Sequence, residues 1–286
     1  MWGQEAVGQG SETAEDCVTT TTDKKNSMSR VLVSFSCGAA SAVAAKMAVE
    51  KYGDAVEVIY CDTLAYEHPD NARFMADVAA WIGKEIKILK SSKYTDIFDV
   101  FRKTGWLVGP AGARCTTELK RSVRKAYQKP DDIHVLGLTY DELDRIDRFE
   151  DNNAITVDWI LRERRITKDS CYRLLGEDGI KLPAMYLLGY NNNNCIGCVK
   201  GQQGYWNKIR VDFPESFARM ARFEREIGVA INKTYAGGKG RIPLYLDELD
   251  PTAGRGVPLP NISCGAICET PADETHDTVS VYSNVF

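Results

Sequence analysis

Nine cysteines are the residues of this sequence with the clearest potential for chemistry. Two of them, Cys195 and Cys198, are separated by two residues, a spacing that lets both sulfurs reach one metal centre. Asparagines precede the pair and glycines surround it, and such turn-forming residues are typical of metal-binding knuckles. A redox pair or two buried thiols would produce the same pattern, so the motif by itself leaves these alternatives open.

Further cysteines could complete a set of four ligands. Cys115 stands at the predicted start of a helix, a position that favours a thiolate. Cys264 and Cys268 share a glycine-containing loop near the end of the chain. One thiolate from each of these two places, together with the Cys195–Cys198 pair, matches the ligands of a [4Fe–4S] cluster or of a structural zinc ion. Cys264 is the preferred fourth ligand, and Cys268 is the next choice. Cys37, Cys61 and Cys171 are most simply interpreted as small apolar packing residues, although Cys37 also borders the candidate loop described next.

A second candidate site is the loop Ser34-Phe-Ser-Cys-Gly-Ala-Ala-Ser41, which begins where an apolar run ends. Small side chains at Ser36, Gly38 and Ser41 let backbone N–H groups approach an anion, and the following helix adds partial positive charge. We therefore predict a phosphate-binding loop, although close packing alone can select the same residues. The predicted nucleotide-binding residues are Ser34, Ser36, Cys37, Gly38, Ala39, Ser41, Asp62, Thr63 and Gly137.

Alternating strands and helices are expected to position these residues. Short apolar runs predict strands at 31–34, 57–60, 85–89 and 133–138, and helical spacing predicts helices at 39–52, 69–82, 97–103 and 116–128. This alternation predicts an α/β fold with an open parallel sheet covered by helices on both faces, of the Rossmann-like type. Ligands bind such sheets at the carboxyl ends of the strands. The residues Asp62 and Thr63 follow the second strand, where strand-end capping is the alternative to ribose or adenine binding.

The chain divides into four predicted parts. Residues 1–29 are polar and lack periodicity, which predicts a disordered extension. Residues 30–150 form the nucleotide-binding α/β domain. The alternation is then expected to stop, and residues 151–270 form a helical, cysteine-containing section with predicted helices at 158–165, 168–175 and 213–227. Residues 271–286 are predicted to be a flexible acidic tail.

Composition narrows the classes of function. The 286 residues carry a formal net charge of −4, which argues against a chain that binds nucleic acid over its whole surface. No apolar run approaches the roughly 18 residues of a membrane span, and no apolar signal core precedes the first strand. We therefore expect a cytoplasmic protein without a membrane partner. Only three histidines are present, and none are spaced as metal ligands or as a catalytic triad.

The segment VSFSCGAASAVAAKMA resembles the pyrophosphate loop of the adenine nucleotide alpha-hydrolases, the N-type ATP pyrophosphatases. More narrowly, the chain resembles the phosphoadenosine phosphosulfate (PAPS) reductase-like family over about residues 30–230. In that family the loop reads roughly S-G-G-K-D-S, and here Cys37, Ala39 and Ala40 replace its first Gly, its Lys and its Asp. Four further segments carry the resemblance in the same order: YCDTLAYEHPDNARFMADVAAWIG, ARCTTELKR, LGLTYDELDR and NCIGCVKG.

The resemblance implies an adenine nucleotide such as ATP, a [4Fe–4S] cluster with zinc as the alternative, and Mg²⁺ as a further candidate. It implies catalytic roles for Lys120, Arg145 and Cys264. Because the loop lacks charged side chains, other cations must neutralise the phosphates. The candidates are Lys120, Arg121, Arg145 and Arg148. For the basic run Arg114, Lys120, Arg121 and Arg124, a solvated face is the default interpretation, and binding of phosphate or sulfate is the alternative.

Three functions follow as alternatives. The first is an iron-sulfur enzyme that cleaves ATP between the α- and β-phosphates and adenylates an acceptor for sulfur transfer or nucleobase modification. Its partners would be a nucleic-acid or nucleobase substrate and a sulfur or electron donor. The second is a PAPS or APS reductase with Cys264 as nucleophile, which then could not be a permanent ligand. The third is a non-catalytic nucleotide-binding module. For Tyr205 and Trp206, which follow the cysteine pair, core packing is favoured over base stacking.

Overall fold

The computed structural model describes residues 29–109, 112–152, 154–236, 240–262, 264 and 279–282. Cys17 and Cys268 lie outside the described residues, as do most of the predicted N-terminal extension and acidic tail. Within the described part, no helix is both long enough and apolar enough to cross a bilayer.

Ten strands form one large sheet and two small hairpins. In chain order they are β1 Val31–Ser34, β2 Val56–Cys61, β3 Ile86–Ser91, β4 Val108–Gly109, β5 Gly112–Ala113, β6 Ile133–Leu136, β7 Thr156–Asp158, β8 Asn232–Ala236, β9 Gly240–Leu244 and β10 Val279–Tyr282. The large sheet has the order β10-β3-β2-β1-β6-β7, in which β10 is antiparallel to β3 and every other pair is parallel. The predicted α/β fold with a parallel sheet is therefore confirmed.

The central strand is β1, which pairs with β2 on one side and with β6 on the other. Val31, Leu32 and Val33 are fully buried, because helices cover both faces of the sheet. A strand that is buried on both faces is apolar at successive positions rather than at alternate ones. This explains why the short run before the loop could be recognised in the sequence.

Eleven α-helical segments are described. They are α1 Ala39–Tyr52, α2 Asp70–Ile82, α3 Ile97–Thr104, α4 Arg114–Thr116, α5 Ser122–Tyr127, α6 Leu143–Asn152, α7 Ile160–Glu163, α8 Lys168–Glu177, α9 Ala184–Leu187, α10 Gln203–Asp212 and α11 Pro214–Ile227. The predicted helices of the first half are present with shifts of a few residues at their ends. Between α4 and α5, the backbone forms a π-helical turn, Thr117–Arg121, a feature that occurs frequently at functional sites.

The strand–helix alternation continues past residue 150, where the sequence analysis expects it to stop. Strand β7 extends the parallel sheet beside β6, with Ile133 opposite Thr156 and Val135 opposite Asp158. This strand has only three residues, and two of them are polar, so no apolar run signals it. The helix predicted over 158–165 is correspondingly reduced to the single turn α7.

The basic run of Arg114, Lys120, Arg121 and Arg124 is mostly buried. The default interpretation of a solvated face is therefore wrong for three of these four residues. Lys120 and Arg121 are 9% and 8% exposed, and Arg124 is 1% exposed. Arg114, which is half-buried, pairs with the buried Glu118 at 2.7 Å. The helical segment packs against the sheet, and its cations therefore face the interior of the protein.

Acid is expected to weaken the fold through His134, which is buried on β6. Burial, and then the charge of Arg124, lower the imidazole pKa from 6.5 to about 4. The unfolded chain takes up a proton near pH 6.5, whereas the folded chain does so only near pH 4. The free energy of unfolding should therefore fall by up to about 3 kcal/mol as the pH drops through this window. Urea denaturation at pH 7 and pH 4.5 measures the change, and the variant His134→Asn should show a smaller one.

Candidate functional site

The loop between β1 and α1 has a conformation that gathers donors around one point. Cys37 has a positive φ of 59°, which is uncommon for a residue other than glycine. The backbone N–H groups of Ser36 and Gly38 both donate to the hydroxyl of Ser41, at 3.1 and 3.3 Å. The Ser36 hydroxyl lies 3.1 Å from the same oxygen. Two amides and a hydroxyl thus converge as in an anion-binding nest.

A second contact holds the start of α1. The backbone N–H of Ala39 donates to the phenolic oxygen of Tyr186 at 3.3 Å. A β-carbon at Gly38 would lie 3.2 Å from that same oxygen. Burial raises the pKa of Tyr186 to about 12, so this phenol stays neutral at physiological pH. Tyr186, on α9, is therefore part of the loop site although it is 147 residues away from Ala39.

Gly137, directly after β6, is required by a close approach of two backbone segments. A β-carbon built there would lie 2.6 Å from both Cα and N of Ser41. These atoms belong to the first turn of α1 and cannot move independently of the helix. Only glycine therefore lets the end of β6 lie against the loop that carries the converging donors.

One cavity of about 190 Å³ opens beside this loop. It lies at the carboxyl ends of β1, β2 and β6, where a parallel sheet presents its ligand site. Eight of the site residues predicted from the sequence line it. They are Ser34, Ser36, Gly38, Ser41, Gly137, Lys120, Arg145 and Cys264.

Four of the predicted nucleotide-binding residues are not among those that line the cavity. Cys37 and Ala39 are buried beneath the loop. Asp62 accepts the backbone N–H of Leu64 at 3.1 Å, so it caps the end of the strand. Thr63 donates to Glu67 at 2.6 Å. The structure thus favours the capping alternative for Asp62, and Cys61 is the residue of this segment that reaches the cavity.

Three cationic side chains line the cavity. Arg145 pairs with Glu142, which also lines the cavity. Lys120 is buried, and its burial penalty is exceeded by nearby acidic groups, Cys264 first, which raise its pKa. Lys168 contacts the neutral backbone oxygen of Asn191 and the side-chain oxygen of Asn192. Arg121 and Arg148, the other candidate cations, do not line the cavity.

The Cys195–Cys198 segment forms a compact turn held by Tyr205. The phenolic oxygen of Tyr205 accepts the Cys198 N–H at 3.0 Å and donates to the Cys195 carbonyl at 3.3 Å. Gly197 has a φ of +74°, which the turn requires. Tyr205 and Trp206 are both buried, as the sequence favours. The turn, which we call the knuckle, is therefore held at both cysteines by one buried phenol.

The structure brings Cys115, Cys195, Cys198 and Cys264 together as electrostatic neighbours. Hydrogen bonding to Cys264, and then burial, raise the pKa of Cys198. The pKa of Cys264 is lowered, because the hydrogen bond with Cys198 stabilises the Cys264 thiolate. The positive charges of Lys120 and Lys200 lower this pKa as well. Burial, and then Cys264, raise the pKa of Cys115 to about 12. The thiolate expected at Cys115 is therefore favoured at Cys264 instead.

These four thiols fit a metal centre in kind. All seven described cysteines are free, and thiolates are the preferred ligands of zinc and of iron-sulfur clusters. In the described part of the chain, however, no group of three or more His, Cys, Asp or Glu side chains has an arrangement that could hold a metal ion as it stands. The four thiols therefore match a thiolate-bound centre in their chemistry, whereas the arrangement of their side chains in this structure is not that of a metal site.

A series of hydrogen-bonded, buried polar side chains connects the knuckle with the loop between β1 and α1. Glu67 accepts the side-chain N–H of Asn71 at 2.7 Å, and Asn193 donates to Asn71 at 2.8 Å. Asn193 also donates to the carbonyl of Cys37 at 2.6 Å. Because Asn193 stands two residues before Cys195, a movement of the knuckle would be transmitted to the loop backbone.

Several residues of the site have no clear signal in the sequence. Tyr186 and Lys168 lie in the helical section, far from any recognised motif. The run Asn191–Asn194 was recognisable only as turn-forming, yet three of its members line the cavity. The lining residues that the sequence analysis misses include Thr139, Asp141, Glu142, Lys168, Tyr186, Asn192, Asn193, Asn194, Asn261 and Ile262.

Comparison with known proteins adds no assignment to this geometry. No protein-family model matches the sequence, and no match is found among curated proteins either. The candidate site therefore consists of a donor-rich loop at a strand–helix crossover, a cavity beside it, and Cys264 at the other end of that cavity, with Cys115, Cys195 and Cys198 as its electrostatic neighbours.

Proposed function

We propose that this chain is a PAPS reductase-like enzyme that binds an adenine nucleotide, carries a thiolate-bound metal centre, and uses ATP to activate an acceptor for sulfur transfer or nucleobase modification. The observation that carries this proposal is the continuity of the cavity. Its loop end presents the converging donors of Ser36, Gly38 and Ser41, and its other end presents Lys120 and Cys264.

The loop end suits the phosphates of the nucleotide. A phosphate oxygen can accept the amide N–H groups that now meet at the Ser41 hydroxyl, and α1 adds the partial positive charge of its N-terminus. Since the loop has no charged side chain, the remaining charge is neutralised by Lys120, Arg145 and Lys168, which line the same cavity. Donors that are already oriented cost no reorganisation when charge develops in the transition state.

The reaction has two steps in this proposal. An oxygen of the acceptor attacks the α-phosphorus of ATP, the bond to the bridging oxygen breaks, and pyrophosphate leaves with the electron pair. The terminal sulfur of a persulfide donor then attacks the activated carbon of the acceptor and displaces AMP, which leaves acceptor and donor joined by an S–S bond. A dithiol reductant cleaves this bond, is itself oxidised to a disulfide, and leaves one sulfur on the acceptor. Lys120 and Arg145 stabilise the negative charge that develops on the phosphate. A metal centre held by Cys115, Cys195, Cys198 and Cys264 would supply thiolate-bound redox or Lewis-acid chemistry at the far end of the cavity.

A second candidate is favoured by the lowered pKa of Cys264. In a PAPS or APS reductase, its thiolate would attack the sulfate sulfur, forming an S–S bond while the S–O bond to the nucleotide breaks. A dithiol reductant would then release sulfite and be oxidised to its disulfide. The adjacent Lys120 would stabilise the leaving phosphate, since it lies within 3.5 Å of the Cys264 backbone oxygen.

Calorimetry and product analysis separate these functions. Protein purified without oxygen is titrated with ATP, AMP and PAPS, and is then assayed for pyrophosphate release from ATP and sulfite release from PAPS. Pyrophosphate release in the presence of an acceptor supports the first function, whereas sulfite release supports the second. Binding without either product indicates a non-catalytic nucleotide-binding module. No binding of any of the three nucleotides contradicts the proposal as a whole.

Replacing Lys168 with glutamine should weaken ATP binding roughly tenfold, because a charged hydrogen bond to phosphate is lost. The amine donates to the backbone oxygen of Asn191 and the side-chain oxygen of Asn192, both neutral, and lies 6.0 Å from the centre of the Tyr186 ring that braces the loop. Adenosine, which has no phosphate, should bind the variant and the wild type equally. Lys125→Gln, on an exposed position of α5 away from the cavity, is the matched control. Equal ATP affinity in both variants would remove Lys168 from the phosphate site.

A further inference from the structure

A second cavity lies beside the cysteine knuckle, and it shares no lining residue with the cavity at the β1–α1 loop. Its volume is about 520 Å³. The residues Val199, Lys200 and Gly201, which directly follow Cys198, form one wall. The hairpin β8–β9 and the segment 257–260 form the others. We refer to this cavity as the basic groove.

The charges that line the basic groove all have the same sign. Lys200, Lys233 and Arg241 line it, and no Asp or Glu is among its lining residues. This is unusual for a chain with a formal charge of −4. Lys200 stands only two residues after Cys198, so the groove ends beside the two cysteines of the knuckle. Its field would attract an anionic ligand towards them.

The basic groove also offers an aromatic surface and an unused donor. Tyr235 is 75% exposed on β8, and the Arg241 side chain holds its ring by a hydrogen bond of 3.1 Å to the phenolic oxygen. Asn232 is 7% exposed, and its side-chain Nδ2 has no acceptor in the described part of the chain. An exposed ring between cations is suited to stack on a base, and a buried amide donor suits a ligand oxygen.

We infer that the basic groove binds a single strand of nucleic acid beside the cysteine knuckle. The cations contact successive phosphates, Tyr235 stacks on an unpaired base, and Asn232 donates to a base or sugar oxygen. A duplex is excluded from this mode because its bases do not present a free face to the ring. The binding of this strand to the groove is independent of the proposed function. Its role as the acceptor of the reaction rests on that function.

Fluorescence polarisation with labelled ten-nucleotide oligo-dT and oligo-U tests the inference on the full chain. With three phosphate contacts, log K should fall with log salt with a slope of about −2. In the double variant Lys233→Gln/Arg241→Gln, the magnitude of this slope should fall below about 1. The variant Tyr235→Ala should bind the oligonucleotide roughly tenfold more weakly. Arg173→Gln, an exposed cation on α8 outside the groove, should bind like the wild type. Circular dichroism verifies the fold of each variant.

The outcomes distinguish this inference from the proposed function. Preference for one of the two oligonucleotides identifies DNA or RNA as the source of the strand, and either supports the groove. The inference is overturned if the groove variants bind the oligonucleotides as tightly as the wild type does. It is also overturned if a ten-base-pair duplex binds more tightly than the single strands, or if polyglutamate competes as well as an unlabelled oligonucleotide. ATP titration of the same samples reports on the proposed function separately, since no groove residue lines the ATP cavity. ATP binding that persists in the groove variants, together with lost oligonucleotide binding, is the expected result.

Discussion

Replacing Gly137 with alanine is expected to abolish measurable ATP binding and to destabilise the fold by about 1–3 kcal/mol. The added methyl group would lie 2.6 Å from Cα and N of Ser41. Because these are backbone atoms of the first turn of α1, the helix or the end of β6 must shift to relieve the overlap. Either shift moves the Ser41 hydroxyl away from the amides of Ser36 and Gly38, which converge on it.

Two measurements check this result. Urea denaturation gives the change in the free energy of unfolding, and calorimetry with ATP gives the loss of affinity at a temperature where the variant is folded. The control is Gly176→Ala in α8, where a β-carbon meets no atom within 4 Å. That change should preserve ATP binding and stabilise the helix by about 0.5–1 kcal/mol. A Gly137→Ala protein with wild-type affinity would show that the loop is not the phosphate site.

The second large effect is expected from Cys198→Ser, which should remove the metal centre. The thiol of Cys198 is buried and hydrogen-bonded to Cys264, so its loss takes away one ligand and the group that stabilises the Cys264 thiolate. Protein purified without oxygen should contain iron and sulfide with absorbance near 400 nm in the wild type and almost none in the variant. Elemental analysis and a visible spectrum measure this directly.

Cys171→Ala is the matched control, since this cysteine is also fully buried but packs in α8 against the sheet core, away from the knuckle. It should retain the metal content of the wild type. A wild-type protein with stoichiometric zinc and no iron would contradict the iron-sulfur assignment while preserving the four-thiolate site. A wild-type protein without either metal would contradict the centre itself and direct attention to thiol chemistry at Cys264.

The main sheet could be predicted from the sequence because its signals are local. A strand that is buried on both faces needs apolar residues in succession, and β1 and the second half of β2 satisfy this requirement. Lys87 interrupts the run in β3 and His134 interrupts it in β6, but each of these strands keeps three apolar residues within four positions. Strand β7 could not be found in the same way. Its residues are Thr156, Val157 and Asp158, and only its pairing with β6 makes it a strand.

The burial of the basic run was decided by packing. Charge along a helix usually indicates a solvated face, and no local feature distinguishes Lys120 from an exposed lysine. Its surroundings consist of Cys264, Cys195, Glu67 and Cys61, which come from distant parts of the chain and raise its pKa despite burial. A buried cation of this kind exists only where the folded chain supplies the opposing charges.

The sequence by itself determined the α/β fold, the donor-rich loop after the first strand and the Cys195–Cys198 pair, because each of these depends on residue type and short spacing. The tertiary structure alone decided that Tyr186, Lys168 and Asn193 belong to the site, that Gly137 touches Ser41, and that the loop and Cys264 share one cavity. These contacts join residues about 100 or more positions apart, and such proximity follows from the packing of whole elements rather than from any local pattern.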